Sequence, residues 1–333
     1  MTDRTRECAL LLPGQGAQVQ GMAVVLYRRE PVFTDAMDAF FRSMGAEGVL
    51  LRRDWLSASP AVPIDDASRA QPLLFAVGYA IGRVLEARGI RPAAYIGHSV
   101  GELAAAALAG VFTQGAAGRI MNARSRAMAA VPAGGMTAVA DRPENLLPFL
   151  AAVAGEVVVG AVNAPMQTVL AGSEPALTEV ERALSAAGKV ARRVRSRQPF
   201  HCPAVRSAAA VFEQAVARER LRPPDTPIWS GRTGRPVSDA EAVDPAFWAH
   251  QLAEPVLFWP ALSALLDHGA YTLVETGPGP GLALSARRHP AVRSGRSTVC
   301  TLLTSRTEGA WEAWASALDC LEPRPVDAAW VGG

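Results

Sequence analysis

Residues 93–108 read A-A-Y-I-G-H-S-V-G-E-L-A-A-A-A-L. The run 93–96 predicts a short strand, and Leu103–Leu108 an alanine-rich helix, with the pentapeptide Gly97-His98-Ser99-Val100-Gly101 between them. Strand, tight turn and helix form the context in which the serine of G-x-S-x-G becomes a nucleophile. The two glycines let the backbone pass close to the serine without a Cβ clash. The helix then points its free N–H groups and the positive end of its dipole at the Ser99 hydroxyl. The N–H of Val100 is the natural first donor to an oxyanion formed there. Taken alone, the pentapeptide fits an ordinary turn equally well; the flanking elements favour the nucleophile.

The rest of the chain arranges itself around this turn. Residues 8–12 (C-A-L-L-L) read as another short buried strand, broken by P-G-Q-G, with a helical segment from about Met22. Residues 72–88 carry Leu74, Val77, Ile81, Val84 and Leu85 on a helical period, and Gly89 ends that helix. From Gly134 the texture changes. M-T-A-V-A, V-V-V-G-A-V and T-V-L-A-G read as strands, with helices over 143–154 and 174–187 and a last strand K-V-A-R-R-V. The alternation β-α-β-β-α-β over 134–198 predicts a small ferredoxin-like unit. Helix returns over 203–220, followed by a Pro-rich loop at 222–227. Strands P-I-W-S and Y-T-L-V-E (271–275) rejoin the first sheet, the second running into T-G-P-G-P-G. From Glu322 the chain reads as a loose tail.

Bulk properties narrow the function. The 333 residues are 50% hydrophobic and 19% charged, enough for a sizeable core, and the net charge of +2 argues against general nucleic-acid binding. No apolar stretch approaches the roughly 20 residues that span a bilayer, so no membrane association is expected. Cys8, Cys202, Cys300 and Cys320 form no C-x-x-C pair and suggest neither zinc nor a disulfide scaffold. The apolar run Ala9–Leu12 stops at Pro13, too short for a secretion signal, and a cytoplasmic location is expected.

A serine hydroxyl needs a base. The histidines are His98, His201, His250, His268 and His289. His98 adjoins the serine, but the sharp turn should direct it elsewhere. His201 follows Pro199 and Phe200 where the small unit returns to the large one, and it is the best candidate. A structural role for it stays open at this level.

The ordered set L-L-P-G-Q-G-A-Q (11–18), Q-P-L-L-F-A (71–76), G-H-S-V-G-E (97–102), N-A-R-S-R-A-M (122–128), Q-P-F-H (198–201), F-W-A-H-Q-L (247–252) and E-T-G-P-G (275–279) resembles the acyltransferases of fatty-acid and polyketide synthesis. These are the malonyl-CoA:acyl carrier protein transacylases and polyketide synthase acyltransferase domains. The resemblance implies an α/β fold: an α/β-hydrolase-like large subdomain with a parallel sheet (1–133 and 199–321), an inserted ferredoxin-like small subdomain (134–198) and a tail (322–333). It implies a Ser99–His201 dyad without an acid, with the Gln251 backbone carbonyl orienting the imidazole. It implies oxyanion donors at the Gln15 and Val100 amides. Arg124 matches an arginine that grips a malonyl-type carboxylate, where a planar guanidinium supplies two parallel bonds. Gln71 lines the same pocket. Phe200 and Val100 match malonyl-type members, a ring at 200 crowding an α-methyl branch; one methyl discriminates by about 1–3 kcal/mol.

The implied donor is an acyl-CoA or an acyl-carrier protein, and the implied acceptor is the phosphopantetheine thiol of an acyl carrier protein. No metal or redox cofactor is expected. Carrier proteins are generally acidic, so Arg192, Arg193, Arg195 and Arg197, or Arg287 and Arg288, are candidate docking faces. Two other readings accompany this one. Q-P-F-H and N-A-P (163–165) depart from the fuller family patterns, as fits a carrier-to-carrier aminoacyl or dipeptidyl transferase of a macrolactam pathway. G-x-S-x-G also occurs in hydrolases such as proofreading thioesterases, for which Asp267 and His289 would complete a triad.

Overall fold

The computed structural model describes residues 7–153, 155–304 and 309–321. The first six residues and the expected tail lie outside that range. Among the described residues nine strands form: β1 (Glu7–Leu12), β2 (Ala94–Gly97), β3 (Gly134–Val139), β4 (Val157–Ala164), β5 (Gln167–Ser173), β6 (Ala191–Arg193), β7 (Ile228–Trp229), β8 (Tyr271–Glu275) and β9 (Thr298–Thr301).

Five of them make a parallel sheet in the order β7-β2-β1-β8-β9. Its central strands read as unbroken apolar runs because helices cover both faces; Ala9 to Leu12 are fully buried. The helix Ala67–Ala87 packs against the helix Val100–Leu108, whose alanines allow the close approach. Register sets Leu12 beside Gly97 and Leu11 beside Glu275, so β1, β2 and β8 end together. The turns that follow all emerge at the carboxyl edge of the sheet, where ligands bind in open α/β sheets. His98 N–H donates to Leu12 O (2.9 Å) and Thr276 N–H to Leu11 O (3.1 Å), tying the three turns together.

The other four strands form an antiparallel sheet in the order β4-β5-β3-β6. Helices Pro143–Leu150 and Ala176–Ala186 cover it, and Val139, Leu146, Leu170, Leu177, Val180 and Leu184 fill a separate small core. Order and connectivity are those of a ferredoxin-like unit, as the β-α-β-β-α-β alternation predicts. One segment joins the sheets: Val256 N–H donates to Gly160 O (2.9 Å), Val162 N–H to Val256 O (2.8 Å), and Leu257 N–H to Gly231 O (2.5 Å).

Some local expectations shift. The helix expected near Met22 is the single turn Val24–Tyr27, because Gly21 and Ala23 take positive φ just before it. The span 203–220 divides into a 3-10 turn, Pro203–Val205, and the helix Arg206–Val216. Helices Pro31–Ser43, Ala46–Leu56 and Gln114–Ala129 and the edge strand β9 come in addition to the sequence expectations. The helix Gln114–Ala129 buries Ile120, Met121 and Met128 among alanines, Gly118 and the charged Arg124, which blurs its apolar period. Among the described residues no helix is long and apolar enough to cross a membrane.

Candidate active site

Ser99 sits at φ 53°, ψ −117°, a backbone conformation that typically costs about 1–3 kcal/mol for a residue with a side chain. Its glycine neighbours make the turn possible. A Cβ on Gly97 would lie 2.2 Å from the Glu102 nitrogen, and one on Gly101 would lie 2.0 Å from the Leu12 oxygen. The serine is thereby lifted to the start of the helix Val100–Leu108.

Ser99 Oγ lies 2.8 Å from His201 Nε2, 102 residues away in sequence. His201 Nδ1 lies 3.0 Å from the Gln251 carbonyl oxygen and 2.9 Å from that of Glu254. Carbonyls only accept, so Nδ1 carries the proton and donates to both. Nε2 is then the free acceptor, and Ser99 O–H donates to it. The histidine backbone is tethered to the same segment, its N–H donating to Leu252 O (2.7 Å) at φ 63°. Burial, His98 and the Arg124 charge push the imidazole down to about 3, against the pull of the two carbonyls. The ring is therefore neutral at neutral pH. Phe200, 1% exposed, packs with its ring centroid 6.3 Å from that of His201.

Arg124 is fully buried on the helix Gln114–Ala129. Its Nε donates to Gln71 Oε1 (2.8 Å), and its Cζ lies 5.9 Å from the Phe212 ring centroid. Nη1 and Nη2 meet no acceptor among the described residues. Burial alone pushes this guanidinium down to about 9. Gln71 Nε2 in turn donates to Gln15 Oε1 (2.9 Å), while the buried Gln15 Nε2 is also unpartnered. Every unsatisfied atom of this chain of side chains is a donor, so the site is short of an acceptor with several lone pairs.

The Gln15 turn is braced from below. Gly16 N–H donates to Gln18 Oε1 (2.6 Å), and Gln18 Nε2 donates to Asp65 Oδ1 (3.0 Å). The backbone amides of Gln15 and Val100 make no hydrogen bond to another described residue.

The other histidines have different neighbours. His98 Nε2 meets Asn163 Oδ1 (2.9 Å), linking the serine turn to the β4–β5 hairpin. His250 meets Glu213 (2.8 Å), and His268 packs near Trp229. His289 uses Nδ1 to accept the Ala291 amide (3.2 Å). Of the arginines on and after β6, Arg193 pairs with Glu174 and Glu181, and Arg195 lies 3.5 Å from Asp65, while Arg192 and Arg197 are exposed, as are Arg287 and Arg288. A surface groove of about 400 Å³, lined by Arg126, Val211 and Arg218 among others, shares no residue with the serine site. Among the described residues no group of three or more His, Cys, Asp or Glu is placed to hold a metal ion.

Sequence reasoning missed two contributors. The Glu254 carbonyl leaves no trace in side-chain identity. Glu102 was visible as the last letter of G-H-S-V-G-E but carried no role; it is 1% exposed and accepts from Gln251 Nε2 (2.8 Å).

The sequence profile of the acyl transferase domain matches residues 10–306. A component of the phenolphthiocerol/phthiocerol polyketide synthase of Mycobacterium tuberculosis is 39% identical over 290 residues, 87% of this chain but only 19% of that protein. The acyltransferase domain from the second module of the salinomycin polyketide synthase superposes with a TM-score of 0.86 at 34% identity, covering 97% of this chain and 75% of the other. The malonyl-CoA:acyl carrier protein transacylase of Xanthomonas oryzae pv. oryzae superposes with a TM-score of 0.83 at 28% identity, covering 96% and 99%.

Proposed function

This chain belongs to the acyl transferase domain family, and on that premise we propose that it carries a carboxylated acyl group, malonyl in the first instance, through Ser99 to the phosphopantetheine thiol of an acyl carrier protein. The observation that carries the choice of acyl group is Arg124: a fully buried cation with two unpartnered nitrogens. An unpaired buried charge is costly, and a carboxylate fitted to Nη1 and Nη2 removes the deficit. A neutral acyl group leaves it in place. The transacylase from Xanthomonas oryzae, named for malonyl transfer, supports the same choice by likeness.

The reaction has two halves. Ser99 Oγ attacks the thioester carbonyl as His201 Nε2 takes its proton. The amides of Gln15 and Val100 receive the oxyanion; losing one such donor typically costs about 3–4 kcal/mol. The C–S bond breaks, and His201 returns the proton to the departing thiolate. The carrier thiol then gives its proton to His201 and attacks the acyl-serine; the C–O bond breaks, and His201 passes that proton to Ser99 Oγ as it leaves. The order is ping-pong. Arg192 and Arg197, or Arg287 and Arg288, supply exposed positive charge for an acidic carrier.

Mass spectrometry of the intact protein, mixed with a panel of acyl-CoAs and acyl-carrier proteins, tests this reading. The expected result is a malonyl mass gain that Ser99→Ala abolishes. Arg124→Ala should lose malonyl transfer and keep acetyl transfer. Equal loss of both would rule out a carboxylate clamp.

A further inference from the structure

Glu102 stands three residues past Ser99, in the first turn of the same helix. It reaches across 149 residues of sequence to accept the Gln251 side-chain amide at 2.8 Å. Gln251 is also one of the residues whose backbone carbonyl receives the His201 Nδ1 proton. A closed circuit results: nucleophile helix, Glu102, Gln251, imidazole, nucleophile. We propose that Glu102 is a positioning residue, which through the side chain of Gln251 fixes the 251–254 segment and so aims His201 at Ser99. The inference rests on the Ser99–His201 reading above.

Two atoms refine it. Glu102 Oε1 and Gln251 Oε1 are both buried, and neither has a donor among the described residues. A protonated carboxyl supplies a donor at Oε1 while Oε2 still accepts the Gln251 amide. The pair then carries no charge, which a dry interior tolerates best. Burial pushes the Glu102 carboxyl up to about 7, against Ser230, Gln251, the Gly231 amide and the Arg232 charge.

The test compares Glu102→Ala, Glu102→Gln, Gln251→Ala and the double alanine variant. Single-turnover acylation is followed with malonyl-CoA over a concentration series, and with p-nitrophenyl acetate, which needs no carboxylate clamp. Glu102→Ala and Gln251→Ala should each slow maximal acylation about tenfold, and the double variant should be no slower than the worse single one, since the two act as one unit. The half-saturating malonyl-CoA concentration should stay unchanged. Glu102→Gln, a neutral side chain that keeps an acceptor for Gln251 Nε2, should keep at least half the rate. Additive losses, full activity in Glu102→Ala, or Glu102→Gln as slow as Glu102→Ala would each overturn the proposal. If Glu102→Ala does not fold, Gln251→Ala and Glu102→Gln decide alone. Acylation that survives Ser99→Ala overturns the dyad reading instead. A dead Ser99→Ala beside a fully active Glu102→Ala overturns only the role of Glu102.

Discussion

A guanidinium buried without an anion burdens the folded chain, and Arg124 is in that position. Replacing it with methionine removes the charge and keeps most of the volume. Relief of the buried charge outweighs the loss of its bond to Gln71, so Arg124→Met should raise stability by up to about 2 kcal/mol while abolishing malonyl transfer; urea denaturation together with the acylation assay checks both. The residues that sequence reading singled out by their side chains are the easiest to find. Ser99, His201 and Arg124 sit inside recognisable motifs. The carbonyls that hold His201 belong to Gln251 and Glu254, and any residue type offers the same carbonyl. The first was reachable through family likeness alone, and the second not at all. Glu102 was legible as a letter, but its partner lies 149 positions away and only the fold introduces them.

At the level of elements, the serine turn is tightly determined. A methyl group on Gly101 would strike the Leu12 carbonyl, a backbone atom with no freedom to retreat. Gly101→Ala should cost about 3 kcal/mol or more. Gly281, at the start of the helix Gly281–Ala286, faces open space. Gly281→Ala should be neutral or gain up to about 1 kcal/mol. Chemical denaturation of the two variants side by side tests the contrast. Strands β1, β2 and β8 were readable because short apolar runs end at Gly and Pro. The helix Gln114–Ala129 was not, because small residues dilute the apolar face of Ile120, Met121 and Met128 and its largest buried side chain is a charged one. Edge strand β9, T-V-C-T, is only partly buried and too short for its alternation to be read.

For the whole molecule, the buried ionisable groups set how stability follows pH. Glu102 and Glu275 hold carboxyls raised from 4.5 to about 7, so the folded chain binds more protons than the unfolded chain across that window, and stability falls as pH rises through it. His201, lowered from 6.5 to about 3, acts in the opposite sense: the unfolded chain takes up the proton first, and stability falls as pH drops below 6.5. His98, lowered by burial, adds to this. Between 4.5 and 6.5 the two effects oppose each other. Below 4.5 the histidines act without that opposition, joined by Asp141 and Glu241, whose carboxyls hydrogen-bonded ion pairs hold down at about 2. Urea midpoints should run nearly level from about pH 5 to 6.5 and fall steeply below about 4.5; a steady slope through the middle range would contradict this balance. None of it was visible in the sequence, because it depends on burial. Nor was the strand order, since β1 pairs with β8 across more than 250 residues.

The stretch from Gln251 to Leu257 is bonded to β4 on one side, to Gly231 on the other, and to His201 at both ring and backbone. The small sheet is therefore not a detachable accessory. A chimera that borrows it from a relative while keeping the host's own hinge strip would mismatch the seam and leave the His201 ring pointing off Ser99. The transplantable part is the sheet together with that strip.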